Sequence, residues 1–406
     1  MNASNLTSLV GHCRRACAAL LAGTSMAALL VACGGGGDAP AAAGGTATAE
    51  SFASGPISGL GSVIVNGIRF EDSTARVEND EDDSVHASRD LKLGMMVEVQ
   101  AGRIDDSTAR ATALRIRFGS ELVGPVSSID SAASTLRVLD QTIEVKPNTV
   151  FEPGLAGFAA IAVGQVLEIH AQFDAASGRY VATRIEREDS VTAFRLRGRI
   201  ASLDTTARTF RIGDAVINYG SVPVANLPPA LANGQRVRVR LETTQVNGQW
   251  VAISVRTGMR LADAIADARL RGLVTAFTSP QQFEVQGIPV DATNAEFDPN
   301  PAAVRLGALV EVRGRVAAGT IIASRVKLRD ERDDDLQRVE LHGNVNALDT
   351  ATQTFMLREI RVNYSRVIEW RDGRPTDLAN DRRVEVKGLW SEDRRVLFAV
   401  VVEFES

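Results

Sequence analysis

The chain has 406 residues, of which 45% are hydrophobic, and its formal net charge is −5. It has no basic surplus, which argues against a nucleic-acid partner because phosphate recognition requires clustered Lys and Arg. The three cysteines, Cys13, Cys17 and Cys33, all lie near the amino terminus. The later residues therefore have no disulfide framework, cysteine-based zinc site or thiol nucleophile.

Residues 1–32 have the pattern of a secretory signal peptide. Two arginines at positions 14–15 precede an apolar stretch of small residues. The four residues Leu-Val-Ala-Cys that end at Cys33 resemble the lipobox of bacterial lipoproteins. This resemblance implies an acylated Cys33 that anchors the mature chain in a membrane. Gly34 stands where an Asp would mark inner-membrane retention, which implies the outer membrane and leaves open which face carries the protein.

Residues 33–51 follow as a tether. The segment is rich in Gly, Ala, Pro and Thr and has no apolar anchor, a composition typical of flexible linkers. We expect two or more lipid chains on Cys33 to give stable anchoring, since one chain alone binds a membrane only marginally.

The rest of the chain repeats a set of landmarks five times. Each copy opens with Gly-x-Ile/Val, and the opening glycines lie 69 to 74 residues apart, at Gly55, Gly124, Gly198, Gly272 and Gly343. A second glycine precedes a Val-Glu-Val-like segment, and an Ala-x-x-Ile/Val segment closes each copy. Asp381 replaces the second glycine in the last copy. We expect a positive φ at this turn, which Asp tolerates better than most residues.

Within one copy the hydrophobic period is two, as in half-buried strands. The second copy predicts strands near 120–129, 134–139, 141–151, 165–173 and 179–187, with a short helical element after the third. This predicts an all-β chain of five tandem small OB-like barrels, each with a sheet of its own. The ranges are repeat 1 (52–118), repeat 2 (119–190), repeat 3 (191–257), repeat 4 with its linker (258–332) and repeat 5 with its linker (333–406). A short helix is expected at 258–267.

The repeats resemble the bacterial lipoprotein repeat known as domain of unknown function 5666. The resemblance rests on the Gly-x-Ile/Val opening, on Leu91, Gly94 and the Val97–Val99 segment, and on the closing Ala-x-x-Ile. It extends over nearly all of residues 55–404. The family has no established activity, so the resemblance implies a fold but no catalytic residue.

Two groups of polar residues, the histidines and an acidic segment, are weighed as possible metal or catalytic sites. His86, His170 and His342 fall in three different repeats, so we expect no shared metal or catalytic site. Residues 78–83, Glu-Asn-Asp-Glu-Asp-Asp, offer carboxylates to calcium. A solvated acidic loop is the alternative, because the glycine and distant glutamate of an EF-hand are missing.

The aromatic residues allow two interpretations, ligand stacking or core packing. Tyr180 and Trp250 hold equivalent positions in repeats 2 and 3, and strand parity places Trp250 opposite Val251 and Val255. The pair therefore forms either an exposed ledge that stacks a ligand or ordinary barrel filling. In repeat 5, strand parity favours core packing for the tryptophans.

These patterns predict a membrane-anchored envelope lipoprotein that acts as a non-catalytic binding or interaction module without a cofactor. Tandem barrels would bind an envelope protein or saccharide with avidity. Nucleic acid is not expected, since single strands require stacking platforms in a basic groove. A structural spacer is the alternative, and an envelope enzyme with an unrecognised site is a third hypothesis. The sequence identifies Cys33 as the lipidation site and names no catalytic, metal-binding or ligand-binding residue.

Overall fold

The computed structural model describes residues 49–257, 264–329, 338–391 and 395–405. These residues form β-strands joined by turns and single 3-10 turns, with no α-helix among them, so the predicted all-β class is confirmed. Within the same ranges, no helix is long and apolar enough to cross a membrane. The predicted signal segment and Cys33 lie outside the described residues.

Repeats 1 and 2 contain the first thirteen strands. Repeat 1 holds β1 (Ser51–Leu60), β2 (Val63–Val65), β3 (Ile68–Glu71), β4 (Arg76–Asn79), β5 (Val85–His86), β6 (Met96–Ala101) and β7 (Arg110–Phe118). Repeat 2 holds β8 (Leu122–Asp130), β9 (Thr135–Val138), β10 (Gln141–Glu144), β11 (Val150–Phe151), β12 (Val166–Asp174) and β13 (Arg179–Arg187). A 3-10 turn lies before the last two strands of each, at Ser88–Asp90 and Phe158–Ala160.

Repeats 3, 4 and 5 follow the same order. Repeat 3 holds β14 (Phe194–Arg199), β15 (Ala201–Asp204), β16 (Thr209–Ile212), β17 (Ala215–Asn218), β18 (Arg236–Val246) and β19 (Gln249–Thr257). Repeat 4 holds β20 (Ala264–Ser279), β21 (Gln282–Val285), β22 (Ile288–Asp291), β23 (Glu296–Asp298), β24 (Leu309–Ala317) and β25 (Thr320–Leu328). Repeat 5 holds β26 (Arg338–Asp349), β27 (Thr354–Leu357), β28 (Ile360–Asn363), β29 (Glu369–Arg371), β30 (Arg383–Trp390) and β31 (Val396–Phe404). Their 3-10 turns are Val224–Asn226, Pro301–Ala303 and Pro375–Asp377.

Each stretch closes into a small barrel. In repeat 2, β8, β9 and β10 are antiparallel neighbours, β10 runs parallel to β13, and β12 joins β13 back to β8. The equivalent pairings recur in repeats 1, 3, 4 and 5. Closure gives most strands a partner on both sides and removes free sheet edges. The prediction of small β-barrels is confirmed.

The turn before the next-to-last strand is left-handed in every repeat. Its glycines, Gly94, Gly164, Gly234 and Gly307, have φ between 77° and 89°, and Asp381 has φ 66°. The expected positive φ is therefore confirmed. Asp381 adopts the conformation that glycine has elsewhere, as short polar side chains can.

The expectation that every sheet is confined to one repeat is wrong. The first strand of repeat 1, β1, pairs in parallel with β20 of repeat 4 and with β26 of repeat 5, and β8 of repeat 2 pairs antiparallel with β14 of repeat 3. The residues concerned in β1 and β8 pair with a strand of their own barrel along one edge, and the backbone groups of their other edge find partners in a neighbouring repeat. Apolar cores are shared too, one by repeats 1 and 5 and one by repeats 2 and 3.

The prediction of a helix at 258–267 is wrong for residues 264–267, the part of this range that the structure describes. Residues 264–267 begin the long strand β20, and its Ala264–Asp267 end lies beside β1 and β24. Neighbouring strands thus determine the conformation where the local sequence allows a helix. Residues 258–263 and most of the charged linker before repeat 5 (330–337) lie outside the described residues.

Candidate site: an arginine-lined cavity between the repeats

The acidic segment 78–83 spans the end of β4 and the following turn, and it lies against repeat 3. The carboxylate of Asp80 accepts a hydrogen bond from Arg197, and Arg238 is 3.6 Å away. Glu81 accepts a 2.8 Å hydrogen bond from Arg195, with Arg240 at 3.5 Å. Arginines thus occupy the positions that calcium would need. The calcium hypothesis is not supported, and the solvated interpretation holds only for the exposed Asp82 and Asp83.

Strand alternation places these arginines on one surface. On β14, Arg195 and Arg197 flank the fully buried Leu196. On β18, three arginines alternate with the buried Val237 and Val239, at positions 236, 238 and 240. Since successive side chains of a strand point to opposite faces, all five guanidinium groups extend from the outer face of the repeat 3 barrel.

A cavity of about 310 Å³ lies beside this surface, where repeats 1 to 4 meet. Its charged lining comprises the arginines Arg117, Arg197, Arg236 and Arg238 and the carboxylates Asp80, Glu98 and Glu121. Gln286, Gly287 and Ile288 of repeat 4 form another part of the wall. The cavity is therefore polar and belongs to the packing of several repeats rather than to any single barrel.

Most of the cavity's charges are paired across repeats. Arg236 donates to both carboxylate oxygens of Glu121, at 2.9 and 3.1 Å, and also to the carbonyl of Gln286. Burial opposes ionisation of Asp80, but the nearby guanidinium groups of Arg197 and Arg238 outweigh it and lower the pKa of Asp80. Asp80 therefore stays charged and holds repeat 1 against repeat 3.

Glu98 is the exception among the carboxylates of the cavity. It has neither a hydrogen bond nor an ion pair with any residue in the described ranges. Burial, reinforced by the charge of Asp80, raises the pKa of Glu98 to about 7 even though Arg236 and Arg197 favour its charged form. Near neutral pH it is therefore partly protonated and can donate a hydrogen bond into the cavity.

Other residues in the lining of the same cavity have donors without partners. Gln286 is 8% exposed and its Nε2 has no hydrogen-bond partner in the described structure, and the same is true of the buried Nε atoms of Arg117 and Arg238. A guanidinium has five N–H donors in a planar fork that matches carboxylate and phosphate oxygens. The cavity lining therefore combines ion-paired arginines with several donors that have no hydrogen-bond partner.

The sequence did not name this site, although part of its signal was present. Glu98 belongs to the Val-Glu-Val segment, and its place between the buried Val97 and Val99 puts it on the outer face of its barrel. Arg117 is its neighbour on β7, but Arg197, Arg236 and Arg238 come from positions about 100 to 140 residues later in the chain, which alternation within one strand does not reveal.

The hypothesis of an exposed aromatic ledge is wrong, and the alternative, that both side chains fill the barrel interiors, is confirmed. Tyr180 and Trp250 are buried at 2% and 7% exposure. A bulge at Ile253 reverses the parity of β19, so Trp250 and Val255 both point inward. Only the polar tips leave the barrels. The Tyr180 hydroxyl donates to the carbonyl of Arg197, and Trp250 Nε1 donates to Asp140 at 2.8 Å, so each fastens repeats 2 and 3 together.

The tryptophans of repeat 5 pack against a core, as expected. Trp370 and Trp390 are partly buried against the core shared by repeats 1 and 5, and Trp370 stacks on Phe404 with ring centroids 6.0 Å apart. They contribute apolar area to repeat 5 rather than a binding surface.

The three histidines lie in separate places. His170 is fully buried, and its Nδ1 lies 3.2 Å from the carbonyl of Gly119. His86 contacts the ring of Phe118. His342 lies among carboxylates of repeat 5, a cluster that the sequence analysis missed.

Comparisons with known proteins give a family but no activity. A solved structure, drosophila Unr CSD456, is similar at 15% identity over 52% of this chain and 97% of its own length, with a TM-score of 0.14. That likeness is too weak to inform the function of this chain. No curated protein matches the sequence. Residues 54–116, 123–186, 271–327 and 342–403 match the family model described as Domain of unknown function (DUF5666). Since these segments cover more than half of the sequence, the chain belongs to the DUF5666 family.

Proposed function

We propose that the chain is a lipid-anchored lipoprotein of the bacterial cell envelope whose body is a non-catalytic binding module. The lipobox-like sequence at Cys33 and the tether 33–51 support the anchor and the outer-membrane location. We further propose five copies of the family domain. Residues 191–257, which the family model does not match, have the strand pairings of the matched segments.

The observation that carries the binding role is the arginine-lined cavity. At about 310 Å³ it has the size of a site for a small ligand. Arg117, Arg197 and Arg238 each keep donors that the acidic segment does not use. Of the partners expected for an envelope protein, an acidic saccharide fits best, because its carboxylate matches the guanidinium fork and its hydroxyl groups suit the polar wall.

Calorimetric titration of the mature protein in detergent tests this proposal. Glucuronate is the ligand, glucose the uncharged comparison and inorganic phosphate the plain anion. We expect glucuronate to bind, glucose not to bind, and Arg238→Gln to weaken binding at least tenfold. Arg315→Gln, which removes an exposed arginine of repeat 4, should leave it unchanged. Absence of glucuronate binding, or equal binding by Arg238→Gln, would contradict the saccharide proposal, and binding of phosphate alone would reassign the site to small anions.

The structural spacer has its own support. The same arginines hold the acidic segment of repeat 1, and strands pair between repeats, so the described body is internally fastened without any ligand. A spacer needs only this rigidity. If Arg238→Gln lowers the melting temperature while the wild-type protein binds none of the three ligands, the spacer becomes the better proposal.

A further inference from the structure

A second polar cluster, unrelated to the cavity, lies on the outer face of repeat 5. Glu340 and His342 alternate with the buried Leu341 on β26, so they share a face. Glu385 on β30 is the direct cross-strand neighbour of His342. One potential ligand atom from each of these three side chains lies within 4.8 Å of the other two.

The ring of His342 is oriented for binding through Nε2. Its Nδ1 lies 2.6 Å from a carboxylate oxygen of Glu405, so the Nδ1 hydrogen is donated there. Nε2 then faces Glu340 at 3.2 Å and Glu385 at 3.6 Å. A histidine whose other nitrogen donates to a carboxylate is the usual arrangement of a metal-binding imidazole.

The position of the ring is fixed by repeat 1. Gly61 has φ +125°, and a Cβ there would overlap the side chain of His342. His342 is 4% exposed, so Nε2 and the two carboxylates form a mostly buried group of acceptors. Such a group requires a cation, because buried negative charge without a partner is costly.

In this structure two cations neutralise the cluster: Lys387, whose Nζ lies 2.7 Å from Glu385, and the guanidinium of Arg69 from repeat 1. Its Nη1 lies 2.9 Å from His342 Nε2, and it forms ion pairs with Glu340 and Glu385. Arg69 and Glu340 also line a separate cavity of about 310 Å³, together with Ser58 and Arg110. The long side chain of Arg69 therefore has room to leave the cluster, and a small ion has a route to Glu340.

We propose that Glu340, His342 and Glu385 form a binding site for a divalent transition-metal ion, with Zn²⁺ as the best match, and that Arg69 occupies this site when no metal is bound. One imidazole nitrogen and two carboxylate oxygens supply three ligands of a tetrahedral zinc ion and leave one position for water. Glu405 is a positioning residue that fixes the tautomer of His342.

Repeat 5 alone combines these residues among the described repeats. The pair equivalent to His342 and Glu385 is Arg197 with Arg238 in repeat 3, and Arg271 with Glu311 in repeat 4. A guanidinium in the histidine position cannot bind a metal. We therefore expect one zinc ion per chain.

Competition of the mature, detergent-solubilised protein with a chromophoric zinc chelator tests the site. We expect the wild type to bind one equivalent of zinc, His342→Gln to lose it, and His86→Gln, the matched control, to retain it. Glu405→Gln should weaken zinc binding about 10- to 100-fold, the usual effect of removing the acceptor behind a metal-binding histidine. Melting temperatures recorded without zinc show whether each variant is folded.

Arg69→Gln separates a metal site from a closed ion-pair network. If Arg69 competes with zinc, its removal should tighten zinc binding, by about tenfold. If the cluster is only an ion-pair network, the variant should lower the melting temperature and zinc should not restore it. Absence of stoichiometric zinc binding in both the wild type and Arg69→Gln, or zinc binding unaffected by His342→Gln, would overturn the proposal.

Discussion

Glu98 should make the stability of this protein fall as pH rises towards neutrality. Burial, together with the charge of Asp80, raises the pKa of Glu98 in the folded protein from its ordinary value of 4.5 to about 7. Between these values the folded state holds a proton that the unfolded state releases. The free energy of unfolding therefore decreases from pH 4.5 to 7 and levels off above 7.

The size of the effect follows from the same interval. A change of one pKa unit corresponds to about 1.4 kcal/mol, so the full interval corresponds to about 3 kcal/mol. Glu98 lines a cavity that has room for water, which reduces the cost of its charge. We therefore expect Glu98→Gln to stabilise the protein by about 1–3 kcal/mol at pH 8 and to change little at pH 5, where the glutamic acid is neutral.

Urea denaturation followed by tryptophan fluorescence at pH 5 and pH 8 measures the difference. Glu311 is the matched control because it holds the equivalent place in repeat 4. Burial opposes its ionisation, but hydrogen bonds and charge from Arg329 and Arg313 outweigh burial and lower its pKa. Glu311→Gln should destabilise the protein at pH 8, and the loss should shrink only below about pH 4.5. A Glu98→Gln variant that is less stable than wild type at pH 8 would refute the reasoning.

Three other changes have defined outcomes. Asp80→Asn should cost about 3–5 kcal/mol in chemical denaturation, because it leaves buried arginines without their counter-charge; an unchanged midpoint would contradict the pairing. Gly307→Asp should lower the free energy of unfolding by at least about 1 kcal/mol. It imposes a positive φ on a larger residue, and its Cβ would lie 2.7 Å from an oxygen of Asp174. Asp381→Gly should be neutral or mildly stabilising. Denaturation midpoints compare the two variants, and a strong loss from Asp381→Gly would assign the aspartate another role. Cys33→Ser should abolish incorporation of a clickable fatty acid, and equal labelling would exclude lipidation there.

Local pattern predicted the barrels, but not the contacts between them. The alternation of Leu136 and Val138 with Arg137 depends only on the geometry of one strand, so it survives in the structure. The face predicted for Trp250 was wrong because of the bulge at Ile253. This bulge arises from pairing with β18, which the sequence of β19 does not show.

Charge was harder to interpret than hydrophobicity for a similar reason. The acidic segment 78–83 looked like a solvated loop or a calcium ligand, because both depend on nearby residues. Its actual partners, Arg195 and Arg197, lie more than a hundred residues later in the chain. A long-range ion pair leaves no periodic signal, so only the packing of repeat 1 on repeat 3 reveals it.

The two candidate sites share one position of the repeat. The outward-facing residue in the Val-Glu-Val segment always meets the residue before the opening glycine on the neighbouring strand, and that neighbour determines its chemistry. The pairs are Ser54 with Glu98, Val123 with Glu168, Arg197 with Arg238, Arg271 with Glu311, and His342 with Glu385. A serine at this position supplies no counter-charge to the glutamate from the first strand, whereas a histidine gives it a metal-binding neighbour. The flanking residues point into the barrel and must be apolar, whereas this outer pair is free to differ between repeats, and both the cavity and the proposed zinc site lie there.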